Sequence, residues 1–416
     1  MRFQKLKEDN PDDRWDARQR LITGWDADAI RNSTILVLGG GAIGNETLKN
    51  MALLGFGHII VCDMDKIETS NLTRTVLFTP QDVEKEKAPL AAQRFLEMNL
   101  EPTATADSFT GDIVYELGDG VFRRADIVLG CLDNMETRMY ANKICMRYDL
   151  PFVDAGINAL GCNLSIMKGH AYGCYACFAN ESKFQERFRQ SCDLLKRKVA
   201  KEGKAATVQC TSAIIAGMQV QEALKILCNM NPQYGTEMYF QGTLNQFSKF
   251  HSSIDPDCVH HSIPARTDVK ETPLSCHNTL REFLDYSGGQ GYPVLSVADD
   301  KLRNFVSWAS CPGCGKKVRI YQPLFKVHTD DLYCPRCREA NVGENYLNFV
   351  DDISLLNFSL ADTPADILDL TLKELGIPPF HVLCVQSADG EQSAFLELTR
   401  DAAEVLPAYA AKHNMI

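Results

Sequence analysis

The chain lacks any apolar run of membrane-spanning length, and nothing at its start resembles a signal peptide. Neither a membrane partner nor an export route is therefore expected. Basic residues are in deficit: 43 Lys and Arg stand against 54 Asp and Glu, a formal net charge of −11. That sign argues against nucleic acid as a bulk partner, since a polyanion is held by a basic surface. Cysteine, by contrast, is plentiful, with 16 in 416 residues and several in Cys-x-x-Cys pairs. Such pairs point to a reducing compartment where thiols bind metal or do chemistry, so a cytoplasmic location is expected. The length suggests two or three domains, and 45% hydrophobic residues supply ample core.

The most informative segment is Ile35-Leu-Val-Leu-Gly-Gly-Gly-Ala-Ile-Gly-Asn-Glu46. Apolar residues running into glycines read as a buried parallel strand that turns into a helix. Gly39, Gly41 and Gly44 stand at G-x-G-x-x-G spacing. The first glycine allows the tight turn, the second lets backbone approach a phosphate, and the third lets helix pack on strand. The helix N-terminus then presents free N–H groups and a positive dipole end to an anion. Asp63 closes the next apolar run, His58 to Cys62, where a carboxylate can hold ribose hydroxyls.

Alone, this motif fits a nicotinamide or flavin dinucleotide, but the residues after it suit ATP better. Arg74 and Lys87 lie beyond Asp63, and Asp133-Asn134 follows the apolar run Ala125 to Leu132, with Arg138 close by. A dinucleotide needs little cationic help beyond the helix end. A triphosphate with Mg2+ needs several positive groups and a carboxylate for the metal. No residue stands out as an acid for hydride transfer, which counts against an oxidoreductase.

Taken in order, GGGAIGNE, DMDKIETSNLTR, the Lys87 segment and CLDNMETR resemble the adenylation domain of the ubiquitin-activating enzyme superfamily. That group joins the activators of ubiquitin-like modifiers to the adenylyltransferases of bacterial sulfur-carrier proteins. The resemblance runs from about residue 14 to 260. It implies a doubly wound, Rossmann-like α/β domain that uses ATP and Mg2+ to adenylate a protein's C-terminal carboxylate. By motif position Asp133 would hold Mg2+ or the attacking geometry, and Arg74 and Lys87 would bind triphosphate oxygens. Asp63 would take the ribose, and Asn71 would help hold the phosphates. Arg18-Gln19 stands where the family carries Tyr-Ser-Arg-Gln, although Asp16-Ala17 replaces the Tyr-Ser. In homodimeric relatives the matching arginine reaches into the partner's site.

Relatives that pass the acyl group onward use a cysteine ahead of a late helix. Two candidates occur here. Cys210 precedes Thr211 at the expected start of a helix reaching Leu227, where the dipole favours thiolate, and Cys-Thr matches the modifier-activating branch. Cys192 lies in a basic stretch, Arg189 to Lys198, that would also activate a thiol. The leading expectation is an activating enzyme for a ubiquitin-like protein with a glycine C-terminus, forming adenylate and then thioester for a conjugating enzyme. The alternative is a sulfur-carrier adenylyltransferase of thiamine- or molybdopterin-type sulfur transfer, though the C-terminal region does not look like a rhodanese sulfur donor.

Two Zn2+ sites are expected. Cys311-Pro-Gly-Cys314 and Cys334-Pro-Arg-Cys337 form C-x2-C-x19-C-x2-C, a structural zinc ribbon in which each pair aims both thiolates at one ion. Cys174 and Cys177 stand where many family members place half of a second site. Cys258 with His261 would complete it, with His260 as the adjacent alternative. The expected organisation is an adenylation domain over 1–270, with a crossover loop near 178–210. A zinc-ribbon region over 271–344 and a small α/β domain over 345–416 follow. In the last, Thr363 to Gly376 reads as one helix, and 381–385 with 393–398 as a hairpin. Some relatives carry a partner-binding ubiquitin-fold domain at this end, and the helix-plus-hairpin pattern permits one here.

Overall fold

The computed structural model describes residues 14–178, 207–296, 305–327, 333–339, 348–349 and 357–415. Eight strands form the main sheet: β1 Thr34–Leu38, β2 His58–Cys62, β3 Thr105–Phe109, β4 Ile127–Gly130, β5 Pro151–Asn158, β6 Gly161–Lys168, β7 Thr236–Gln241 and β8 Gln246–His251. Their order is β3-β2-β1-β4-β5-β6-β7-β8. The first five pair in parallel, and β5 to β8 continue antiparallel. The uninterrupted apolar run of β1 follows from burial on both faces. Ile35 and Val37 pack with one set of helices, Leu36 and Leu38 with another. The doubly wound α/β fold expected of the sequence is thus observed.

The helices on the first face include Ala42–Leu54, Lys87–Met98 and Gln209–Leu227. Met135–Arg147 lies on the second. Residues 14–25 form turns and a short 3-10 helix, Gln19–Leu21; the regular helix starts at Ala27. Asp26 explains that start, because its carboxylate accepts from the Asp28 and Ala29 N–H groups.

The remaining strands are β9 Val269–Thr272, β10 Val294–Ser296, β11 Phe305–Ser310, β12 Lys317–Pro323, β13 Asn348–Phe349, β14 Asn357–Ser359, β15 Val382–Gln386 and β16 Ser393–Leu398. Five of them make a sheet ordered β14-β10-β15-β16-β9, whose first and last strands in sequence, β9 and β16, are parallel neighbours. The other three form the cysteine ribbon, ordered β12-β11-β13. Because β9 and β10 precede the ribbon and β14 follows it, the small α/β unit starts near Val269 and carries the ribbon as an insertion. The boundary at 345 read from the sequence cuts through this sheet. Strands of three or four residues leave too short a pattern to mark it. The hairpin expected at 381–398 is present. The helix expected over 363–376 is not continuous. Helical turns span only Ala365–Leu368, since Thr371 and Glu374 then cap one another and open a separate turn.

This unit is joined to the main sheet by buried charge. Glu397, fully buried on β16, takes Arg123 and both Nη atoms of Arg124, the latter at 2.8 and 3.2 Å. Asp107 on β3 caps the helix Pro407–Lys412 through the Ala408 and Tyr409 N–H groups at 2.9 and 2.8 Å. Phe380, Ala402, Val405 and Leu406 enter the same core as Leu36 and Leu38.

Candidate active site

The strand order β2-β1-β4 sets the ends of three neighbouring strands side by side, the edge at which such sheets bind ligands. Gly39 to Gly41 follow β1, Asp63 follows β2 and Asp133 lies just past β4. Gly39 has φ +102°, and a Cβ there would stand 2.5 Å from the Cys131 carbonyl oxygen. A Cβ on Gly44 would meet the Gly39 carbonyl oxygen at 2.0 Å. Those two glycines are required by the protein itself. A Cβ on Gly41 meets no protein atom within 4 Å, so any demand for glycine there comes from what the loop binds.

Asp63 is buried and accepts from Gly40 N at 2.7 Å and Asp65 N at 2.8 Å. Burial raises its carboxyl, with Lys87 and these two N–H groups pulling it back. Lys87 belongs to no solvated charged face. It is buried at the first position of its helix and reaches Asp65 at 2.8 Å. Asn71 is buried, its Oδ1 accepting from Glu68 N at 3.0 Å. Arg74, half-buried nearby, donates to Ser70 O at 2.6 Å. Asp133 is exposed beside Asn134, which caps the helix Met135–Arg147 through Thr137 N. The edge therefore carries an N–H-lined loop, two cations and two carboxylates, a set able to bind a nucleotide triphosphate and a divalent cation.

Arg138, read from the sequence only as lying close to Asp133, is given a role by the structure. It donates to Leu132 O at 2.6 Å and Ala155 O at 3.1 Å, and lies 3.5 Å from the buried Asp154. It braces the turn that carries Asp133. Burial lifts the Asp154 carboxyl to about 6. Asn45 was missed, although it lies inside the glycine motif. Its amide donates to Gly40 O at 2.7 Å, and its oxygen accepts from Leu77 N at 2.9 Å, tying the Arg74 segment to the glycine loop.

Arg18 is exposed and far from this edge. Its neighbour Gln19 donates to Leu53 O, at the last turn of the helix Ala42–Leu54. Thirteen helical residues at about 1.5 Å each place the glycine loop about 20 Å away, beyond an arginine's reach. Cys210 is exposed on the first turn of the helix Gln209–Leu227, one residue from Gln209, whose amide donates to Glu46. Thr211 donates to Ala159 O at 3.2 Å. Cys192 lies outside the described residues.

Both cysteine groups converge. Tetrahedral Zn2+ with Zn–S near about 2.3 Å sets neighbouring sulfurs about 3.8 Å apart. In the first group Cys174 Sγ lies 3.8 Å from Cys177 Sγ and 3.7 Å from Cys258 Sγ, and Cys177 Sγ lies 3.6 Å from His261 Nδ1. His261 Nε2 donates to Tyr172 O at 3.0 Å, which leaves Nδ1 for a metal. The alternative His260 turns away to Asn142 at 2.6 Å, and burial lowers it to about 4. In the ribbon, Cys311–Cys337 and Cys314–Cys334 Sγ separations are 3.6 and 3.7 Å. Each set thus fits a closed four-ligand site. A third group, Cys276, His277 and Asp401, differs. There Asp401 is occupied by Ser275 Oγ, Cys276 N and Phe380 N.

Comparison with known families matches the ThiF family over residues 17–261. The chain belongs to the ThiF family. It is 29% identical to the sulfur carrier protein ThiS adenylyltransferase of Escherichia coli K12 over 235 residues, 56% of this chain and 83% of that protein. It is 29% identical to ubiquitin-like modifier-activating enzyme 5 of Drosophila ananassae over 343 residues, 77% of this chain and 81% of that one. SUMO-activating enzyme subunit 2 of Dictyostelium discoideum is 34% identical over 151 residues, 36% of this chain but only 22% of that protein. Among solved structures, Escherichia coli MccB with ATP superposes with a TM-score of 0.47 at 24% identity, covering 57% of this chain and 68% of that one. This ThiF-family chain is accordingly an adenylyltransferase of the E1-like type. Among the described residues, no helix is long and apolar enough to cross a membrane.

Proposed function

We propose that this ThiF-family chain activates a ubiquitin-like protein in two steps and delivers it as a thioester to a conjugating enzyme. In the first, the protein's C-terminal glycine carboxylate attacks the α-phosphorus of ATP. An O–P bond forms, the bond to the β-phosphate breaks, and pyrophosphate leaves with the electron pair. Gly39 to Gly41, Arg74, Lys87 and Asn71 would hold the phosphates, Asp63 the ribose and Asp133 the Mg2+. Alignment and charge neutralisation carry this step. In the second, Cys210 thiolate attacks the acyl carbon, a C–S bond forms, the C–O bond to the adenylate breaks, and AMP leaves with the bridging oxygen and its electron pair. The thiol proton goes to water.

The observation that carries the reading is the place of Cys210: exposed, on a helix's first turn, and one residue from a hydrogen bond to the glycine-loop helix. Likeness to ubiquitin-like modifier-activating enzyme 5 over 77% of the chain supports it, since that match extends past the region shared with sulfur-carrier enzymes. Arg18, too far for its own site, would serve a partner's site in a homodimer. The closed cysteine groups would each hold a structural Zn2+, and the unit from Val269 onward would receive the conjugating enzyme. The sulfur-carrier reading has its own support in the ThiS adenylyltransferase, 83% of which is matched. In that case sulfide or a persulfide would attack the adenylate.

The test mixes the protein, ATP, Mg2+ and ubiquitin-like proteins ending in glycine, then resolves products on a non-reducing gel. A thiol-sensitive adduct lost in Cys210→Ala but kept in Cys192→Ala is expected. Loss only in Cys192→Ala would move the nucleophile. Pyrophosphate release without any adduct would refute the thioester step in favour of sulfur transfer.

A further inference from the structure

We propose that Glu46 is a positioning residue for the thioester step, setting through Gln209 the distance between Cys210 and the phosphate loop. The role rests on the thioester reading above. Glu46 is 2% exposed and lies five residues after Gly41 on the helix that the glycine loop opens. Its two carboxylate oxygens are both engaged, one by the Gln209 amide and the other by Lys49. The Gln209 oxygen is buried and meets no donor among the described residues. Among the described residues, Glu46 is thus the one hydrogen-bond partner of the Gln209 side chain.

The rest of the helix Gln209–Leu227 is anchored independently. Gln219 accepts from Thr47 Oγ1 at 2.9 Å and donates to Gly130 O and Val153 O, both at 2.9 Å. Ile215, Ala216, Val220 and Ala223 are buried in the core. Loss of Glu46 therefore leaves the helix in place and loosens its first turn, where Thr211 still donates to Ala159 O at 3.2 Å and Thr207, just ahead of the helix, still pairs with Ala159. That turn bears Cys210. A carboxylate rooted in the nucleotide loop's own helix makes the thiol's position depend on the loop's, so the two reaction centres are kept in register. Nothing in the adenylation step draws on Glu46.

The full chain would be tested with whichever glycine-terminated ubiquitin-like protein supports ATP–pyrophosphate exchange. In Glu46→Ala and Gln209→Ala, exchange should match wild type; Gln209→Ala should also melt as wild type, whereas Glu46→Ala, which leaves Lys49 without its buried partner, should melt a few degrees lower. Single-turnover transfer to Cys210 should slow about 10- to 100-fold, as expected for a reacting atom misplaced by about 1 Å. Glu46→Gln keeps an acceptor oxygen and should recover most of the rate. Unchanged transfer would overturn the proposal. So would a parallel fall in exchange, transfer and melting temperature, which marks a merely structural role. A wild-type chain that exchanges pyrophosphate but never loads Cys210 overturns the thioester reading itself, and the role of Glu46 with it.

Discussion

Replacing Glu397 by alanine should loosen the small α/β unit from the nucleotide domain. The carboxylate is wholly buried and faces two arginines, Arg123 and Arg124, whose side chains are 20% and 9% exposed. Removing one member of a buried pair costs about 3–5 kcal/mol, because the remaining charge is left without compensation. Arg123 retains some water, which screens its share, so the lower end applies: about 3 kcal/mol. For a chain of this size that corresponds to a fall in melting temperature of about 3 °C. Urea unfolding followed by tryptophan emission suits the question. Trp15 and Trp25 report on the nucleotide domain, and Trp308 on the ribbon inserted in the second unit. Wild type should unfold in one transition, whereas Glu397→Ala should lower the midpoint and separate the two reporters. A single transition with its midpoint unmoved would refute the assignment of this joint as a main tie between the units.

Glycine substitutions in the loop should divide cleanly. Gly44→Ala forces a clash with backbone and should lower the melting temperature by several degrees, whereas Gly41→Ala should melt as wild type while raising the KM for ATP about tenfold or more. Equal thermal loss in both, measured by scanning fluorimetry, would contradict the idea that Gly41 answers only to a ligand. Metal analysis of the purified protein should give two Zn2+ per chain, falling to one in Cys311→Ser and in Cys174→Ser. Two ions retained in either variant would remove that cluster from the zinc assignment.

The nucleotide edge was legible in the sequence because each of its parts is local. The glycine spacing and the acidic residue closing an apolar run depend on neighbours a few positions apart, as do the Cys-x-x-Cys pairs of the two cysteine clusters outside that edge. The parts that escaped are joined only by the fold. Asn45 sits within the recognised motif, yet its bond to Leu77 spans a loop whose path no periodicity gives. Arg138 carries the same charge as Arg74, and only the nearness of Asp154 and two carbonyl oxygens separates its role from a phosphate contact. His261, by contrast, is read as the ligand from its spacing to Cys258, and it is the imidazole that approaches Cys177 while His260 meets Asn142. In the second unit, β9 joins β16 across more than a hundred residues, a pairing invisible to a local reading that instead drew a boundary near 345.

The helix Pro407–Lys412 and the residues just before it bear on how the molecule is made. The carboxylate of Asp107 and the apolar face around Leu36 and Leu38 emerge early in synthesis, yet their partners, Val405, Leu406, Ala408 and Tyr409, come some three hundred residues later. The nucleotide domain therefore cannot close its core as an independent early product. During translation it must wait, one face uncovered, for the second unit to be built and docked. Such a late, long-range closure favours slow folding and exposes the nascent chain to aggregation or chaperone capture.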